Sequence, residues 1–132
     1  MAQTPQKNNN QQSLINVAIK YLQGKNDLGY QKSYHQFYKK GHEQECKIRL
    51  GNNGHFIDFY MQSSKQAVIQ KWENFLDNVD KKEPGKWKII PGIKRSQLIL
   101  KDNPQPTTQK EVQEWCDLFY GLFQRYDENY HN

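Results

Sequence analysis

The chain has 132 residues, a net charge of +5, 35% hydrophobic and 13% aromatic residues. That is the size of one domain, with a core built from a few large rings rather than many aliphatic chains. No apolar run approaches the ~20 residues of a membrane helix, and Cys46 and Cys116 cannot make a disulfide framework, so an intracellular, reducing compartment is expected.

Residues 1–12 are polar, aperiodic and rich in Gln and Asn. They read as a disordered tail and lack the apolar stretch of a secretory signal. Residues 13–132 then form a single domain. Ser13 can cap a helix carrying Leu14, Val17, Ala18, Tyr21 and Leu22 at helical spacing, with Gly24 as its stop. The segment "LGYQKSYHQFY" (28–38) suits an extended strand better than a helix, because of Gly29 and its aromatic residues. Next comes "CKIRLGNNGHFIDFYM" (46–61), two alternating runs around Gly51-Asn52-Asn53-Gly54, the pattern of a β-hairpin. Ile48, Leu50, Ile57, Phe59 and Met61 fall on one face. Lys47, Arg49, Phe56, Asp58 and Tyr60 fall on the other.

Ser63-Ser64-Lys65-Gln66 has capping-box spacing. Val68, Trp72, Phe75, Leu76 and Val79 then form one apolar stripe. Pro84-Gly85 breaks the chain before two further strands, "KWKII" and "SQLIL", joined through Pro91-Gly92. A second capping box, Thr108-Gln109-Lys110-Glu111, opens a last helix with Val112, Trp115, Cys116, Phe119, Leu122, Phe123 and Tyr126 on one face. Blocks of strands alternating with helices predict an α+β fold: a small antiparallel sheet of about four to five strands with amphipathic helices on one face, and Trp72, Phe75, Trp115 and Phe119 in the core.

The order of features over residues 45–128 resembles a bacterial α+β domain of uncharacterised function found beside or fused to restriction-type nucleases. "FIDFYM", "KQAVIQKWENFLDNV", "KWKII", "KRSQLIL" and "EVQEWCDLFYGLFQRY" carry the resemblance. It implies an α+β fold and a nucleic-acid setting, and no catalytic residues.

Candidate chemistry is sparse. His35, His42, Cys46 and His55 lack the tight pairs of a zinc site, so no metal is expected. Cys116 lies on an apolar stripe and reads as a core thiol. Asp58 with Glu45 and Lys47 contains the residue types of a Mg²⁺-dependent nuclease, but in reversed order. No phosphate loop or dinucleotide motif is present, so no cofactor and no small-molecule substrate are expected. The basic residues are more telling. Lys81, Lys82, Lys86, Lys88, Lys94, Arg95 and Lys101 crowd residues 81–101. Alternation in "KWKII" sets Lys86 and Lys88 opposite Trp87. A shared surface of Lys47, Arg49, Phe56, Tyr60, Lys86 and Lys88, with Lys94 and Arg95 at the adjoining turn, could neutralise phosphates and stack on bases.

These features point to a non-catalytic basic accessory subunit of a larger, nuclear complex acting on nucleic acid, such as a DNA-modifying or DNA-maintenance assembly, with protein subunits as further partners. A small metal-dependent nuclease and a purely structural interaction subunit are the alternatives.

Overall fold

A chain that alternates runs of period two with stripes of period 3.6 must bury one face of each strand and one stripe of each helix against the other. The computed structural model describes the backbone of residues 3–52, 54–92, 95–102 and 104–131. Its elements are helix α1 (Gln3–Gln23), strands β1 (Leu28–Gln31), β2 (Gln36–Lys39), β3 (Cys46–Asn52) and β4 (His55–Gln62), helix α2 (Gln66–Lys82), strands β5 (Trp87–Ile90) and β6 (Arg95–Leu100), and helix α3 (Gln109–His131). The strands form one antiparallel sheet in the order β1-β2-β3-β4-β6-β5. The α+β architecture expected from the sequence is the one observed, with helices packed against the sheet.

The sheet has six strands, more than expected. The difference lies in residues 28–38, which are two strands rather than one. A single 3-10 turn, Lys32–Tyr34, reverses the chain, and His35 leaves it in the left-handed region with φ 48°. Gly29 pairs with Tyr38, whose ring covers the space a Cβ at Gly29 would need. α1 starts at Gln3, not at Ser13. Pro5 falls in the first turn, where its missing N–H costs nothing, and Gln is a fair helix former. Of the segment expected as a tail, Met1 and Ala2 lie outside the described residues. The first capping box does not form: Lys65 is the N-cap of α2 without a side-chain cap, and Ser63 Oγ accepts the Lys65 N–H at 3.1 Å. The second nearly does. Thr108 Oγ1 accepts the Glu111 N–H at 3.1 Å, and the Glu111 carboxylate accepts the N–H of Thr107 at 2.8 Å, one residue before the expected cap.

The inward-facing residues of β3 and β4 are Ile48, Leu50, Ile57, Phe59 and Met61, as the alternation predicts, and all are buried. The Phe59 ring lies 5.7 Å from Trp72, 5.7 Å from Phe75 and 5.1 Å from Phe123 between centroids, joining β4 to α2 and α3. Phe119 meets Trp87 edge-on at 5.4 Å. Trp115, expected in the core, is only half-buried and sits at the rim against Phe56. Cys116 is fully buried.

Two carboxylates tie the helices to the sheet's ends. Glu45, just before β3, meets Lys71 Nζ of α2 at 3.0 Å, the Tyr126 hydroxyl of α3 at 3.1 Å and His42 at 2.7 Å. Glu83, the C-cap of α2, accepts from Trp87 Nε1 at 3.1 Å, Lys86 Nζ at 2.9 Å and Arg125 of α3. Burial alone would raise the Glu83 carboxyl, but its Lys86, Arg125 and Trp87 donors outweigh it and hold the pKa down to about 2.

A carboxylate with a depressed pKa in the folded state stabilises it above its unfolded pKa, and that contribution is lost as pH falls through the folded value. Wild-type protein should therefore lose stability between about pH 4.5 and about 2 in urea titrations. Glu83→Gln should be less stable at pH 7 and show a shallower loss over that window. Trp72→Ala should cost roughly 3–5 kcal/mol by leaving a cavity beside Phe59. Burial pushes the Cys116 thiol up to about 12, so it should react with a thiol reagent only as fast as the protein unfolds; prompt labelling without denaturant would contradict this packing.

Candidate nucleic-acid interface

The alternation that sends Ile48 and Phe59 inward sends Lys47, Arg49, Asp58 and Tyr60 to the opposite face of the sheet. Register pairs Lys47 with Tyr60 and Arg49 with Asp58 across β3 and β4, and Tyr60 with Gln97 across β4 and β6. Asp58 is 1% exposed despite facing away from the helices. Arg49 donates to it through Nε at 3.1 Å and Nη2 at 2.7 Å, and Gln97 Nε2 donates at 2.7 Å. The Arg49 guanidinium then lies over the Tyr60 ring, 3.7 Å from its centroid. The Tyr60 hydroxyl donates to Gln62 Oε1 at 2.6 Å. A buried carboxylate is tolerable only when paired and hydrogen-bonded, and here its partners fix an arginine and a tyrosine in one stack.

Two hollows flank this stack. The larger, about 780 Å³, is lined by Tyr34, Lys47, Arg49, Tyr60, Gln62 and Lys65, among others. The smaller, about 270 Å³, shares Arg49 and Tyr60 and adds Ile90, Pro91, Arg95 and Gln97. Tyr34, at the end of the 3-10 turn, is 67% exposed. Among the described residues, Lys47, Lys65, Lys88 and Arg95 have no carboxylate within ion-pair distance. Lys47 is half-buried, and that burial lowers its pKa.

Of the residues the sequence proposed for one surface, Lys47, Arg49 and Tyr60 are brought together, and Arg95 lines the adjoining hollow. Lys88 faces the same way from β5 but borders a separate depression with Ile99 and Lys101. Lys86 precedes β5 and is paired with Glu83. Lys94 lies outside the described residues. Phe56 does not join the surface: it is buried on the helix side, 6.3 Å from Trp115 between centroids. Gly51, in β3 opposite that end of β4, has φ 64°, and the strict alternation fails at this corner. The sequence reading missed Tyr34, Gln62, Lys65 and Gln97. Tyr34 had a signal, an aromatic residue among polar neighbours in "KSYHQ", and Gln62 follows Tyr60 by two in β4; Gln97 is placed by strand order and Lys65 by the turn into α2, and neither had one.

Asp58, Glu45 and Lys47 do not converge. Asp58 is held by Arg49 and Gln97, whereas Glu45 is held by His42, Lys71 and Tyr126. Among the described residues no group of three or more His, Cys, Asp or Glu is placed to hold a metal ion, and no helix is long and apolar enough to cross a membrane. No family model, no curated protein and no solved structure matches this chain.

Removing one member of a buried ion pair leaves the other uncompensated. Asp58→Ala should destabilise the fold by about 3 kcal/mol in urea unfolding. Replacing both partners, Arg49→Met with Asp58→Leu, should recover most of that loss. Equal stability of the two variants would mean that the pair does not act as a unit.

Proposed function

We propose that this chain is a non-catalytic accessory subunit that contacts nucleic acid through the helix-free face of its sheet, within a larger nuclear complex. One observation carries the reading: two tyrosines and unpaired cations share a single open basin on a face that no helix covers. Phosphates meeting Lys47, Lys65 and Arg95 would release condensed counterions, the main source of affinity for such a surface. Arg49 adds little net charge because Asp58 neutralises it; its part is to hold the Tyr60 ring in place. The net charge of +5 is compatible with the same setting. The nuclease alternative lacks support from Asp58 and Glu45, which are engaged in separate clusters. Contacts with protein subunits fit the edge strand β5, where Ile89 and Ile90 are half-buried beside unpaired backbone.

The isolated chain should bind nucleic acid weakly, with Kd on the order of 10⁻⁴–10⁻⁶ M near physiological salt. Lys65→Gln with Arg95→Gln, both exposed, should lower affinity for all sequences alike and reduce the slope of log K against log salt by about one to two. Unaltered affinity and slope in this double variant would overturn the reading.

A further inference from the structure

The basin's lining distinguishes between kinds of nucleic acid. A surface that only tracks a duplex backbone needs many cations and little else. Here amides and hydroxyls, from Gln36, Gln44, Gln62, Ser63 and Ser64, outnumber the cations Lys47, Lys65 and the neutralised Arg49. Such groups offer donors and acceptors to base edges, which a duplex keeps within its grooves and a single strand exposes. The volume of about 780 Å³ is that of a small-ligand site. It suits splayed nucleotides, whereas a duplex laid on the sheet would reach it only with phosphates.

The rings give the second argument. Among the described residues Tyr34 is the one exposed large hydrophobic side chain, and it stands on the rim of this basin. A ring left in water at the tip of a 3-10 turn has no role in the core. Tyr60 is the opposite case, a ring immobilised by Arg49 on its face and by Gln62 at its hydroxyl. The two rings line one basin, and the fixed one can stack on a base with little loss of entropy. Tyr60 and Arg49 line both hollows, so the platform continues toward Arg95, with a cation available in each hollow for the connecting phosphates.

We infer that the basin takes unpaired nucleotides of a single strand, with bases stacked on Tyr34 and Tyr60 and phosphates beside Lys47 and Lys65. This rests on the nucleic-acid reading above and narrows it. The shared chemistry is an unstacked base with its phosphodiester, which either DNA or RNA supplies.

The test is fluorescence anisotropy at low salt with the full chain. The probes are a 15-nucleotide mixed-sequence oligonucleotide, as DNA and as RNA, and the corresponding DNA duplex. Single strands should bind at least about tenfold tighter than duplex. Tyr34→Ala should weaken single-strand binding about tenfold, the scale of one lost base–ring stack, while duplex binding stays unchanged. Tyr34→Phe should restore it, since stacking needs the ring and not the hydroxyl. Because Tyr34 is exposed, neither variant perturbs the core. The tighter of the DNA and RNA probes identifies the source. Equal binding of duplex and single strand, no effect of Tyr34→Ala, or failure of Tyr34→Phe to restore binding would overturn the inference while leaving the nucleic-acid reading in place. No binding of any probe would remove both.

Discussion

Phe59 is the residue through which the two layers hold together. It lies on β4, near the middle of the sheet, and its ring meets α2 at Trp72 and Phe75 and α3 at Phe123. Ring pairs at these separations add specific contact energy to the burial of large apolar surfaces. α1 joins the same layer through Ala18 and Leu22, both fully buried. With 35% hydrophobic residues, the chain has material for one such core. An antiparallel sheet can leave its other face without a second layer, and here that face carries polar and charged side chains around the buried Asp58 and Ile99.

That economy sets the terms for the outer face. Tyr60 and Asp58 flank Phe59 in sequence, so the residue that anchors the core also fixes what faces outward on either side of it. A carboxylate at the centre of a sheet is costly unless its charge and lone pairs are met. Arg49 meets Asp58 with two donors and Gln97 with a third, and the paired guanidinium covers Tyr60. The outer face is therefore an ordered polar plane rather than a set of mobile surface side chains. Order of this kind reduces what a ligand must give up on binding.

The sequence made the hairpin, α2 and α3 legible because each is a long run with one unbroken period. "CKIRL" and "IDFYM" alternate cleanly, and Trp72, Phe75, Leu76 and Val79 repeat at helical spacing. The first hairpin, β1–β2, was not legible. Each of its strands has four residues, too few for a period to show, and the turn between them depends on a left-handed His35 that no local signal announces. Phe56 was misplaced for a related reason. Alternation assumes a regular pleat, and the left-handed Gly51 and the ring of Trp115 at that corner override it. Half of the candidate site could be read because cross-strand neighbours in a hairpin follow from the register. Tyr34 and Lys65 lie outside the hairpin and could not be grouped with it from alternation, whereas Arg95, grouped from its place in the basic cluster, reaches the site because β6 rather than β5 lies beside β4.

Strand order and pairing also decide where the net charge of +5 is felt. Several cations of the helix side have local partners: Lys25 meets Asp117, Lys39 meets Asp27 and Asp127, Lys71 meets Glu45, and Lys86 and Arg125 meet Glu83, whereas Lys20, Lys82 and Lys110 on the helices have no carboxylate within ion-pair distance among the described residues. On the open face, among the described residues, Arg49 is the paired cation, and its guanidinium covers the Tyr60 ring. Lys47, Lys65, Lys88 and Arg95 keep their charge there without a carboxylate partner among the described residues. Exposed charges within a Debye length, ~8 Å at physiological salt, reinforce one another. Part of the chain's excess positive charge therefore lies, unneutralised, on the same face that carries the rings.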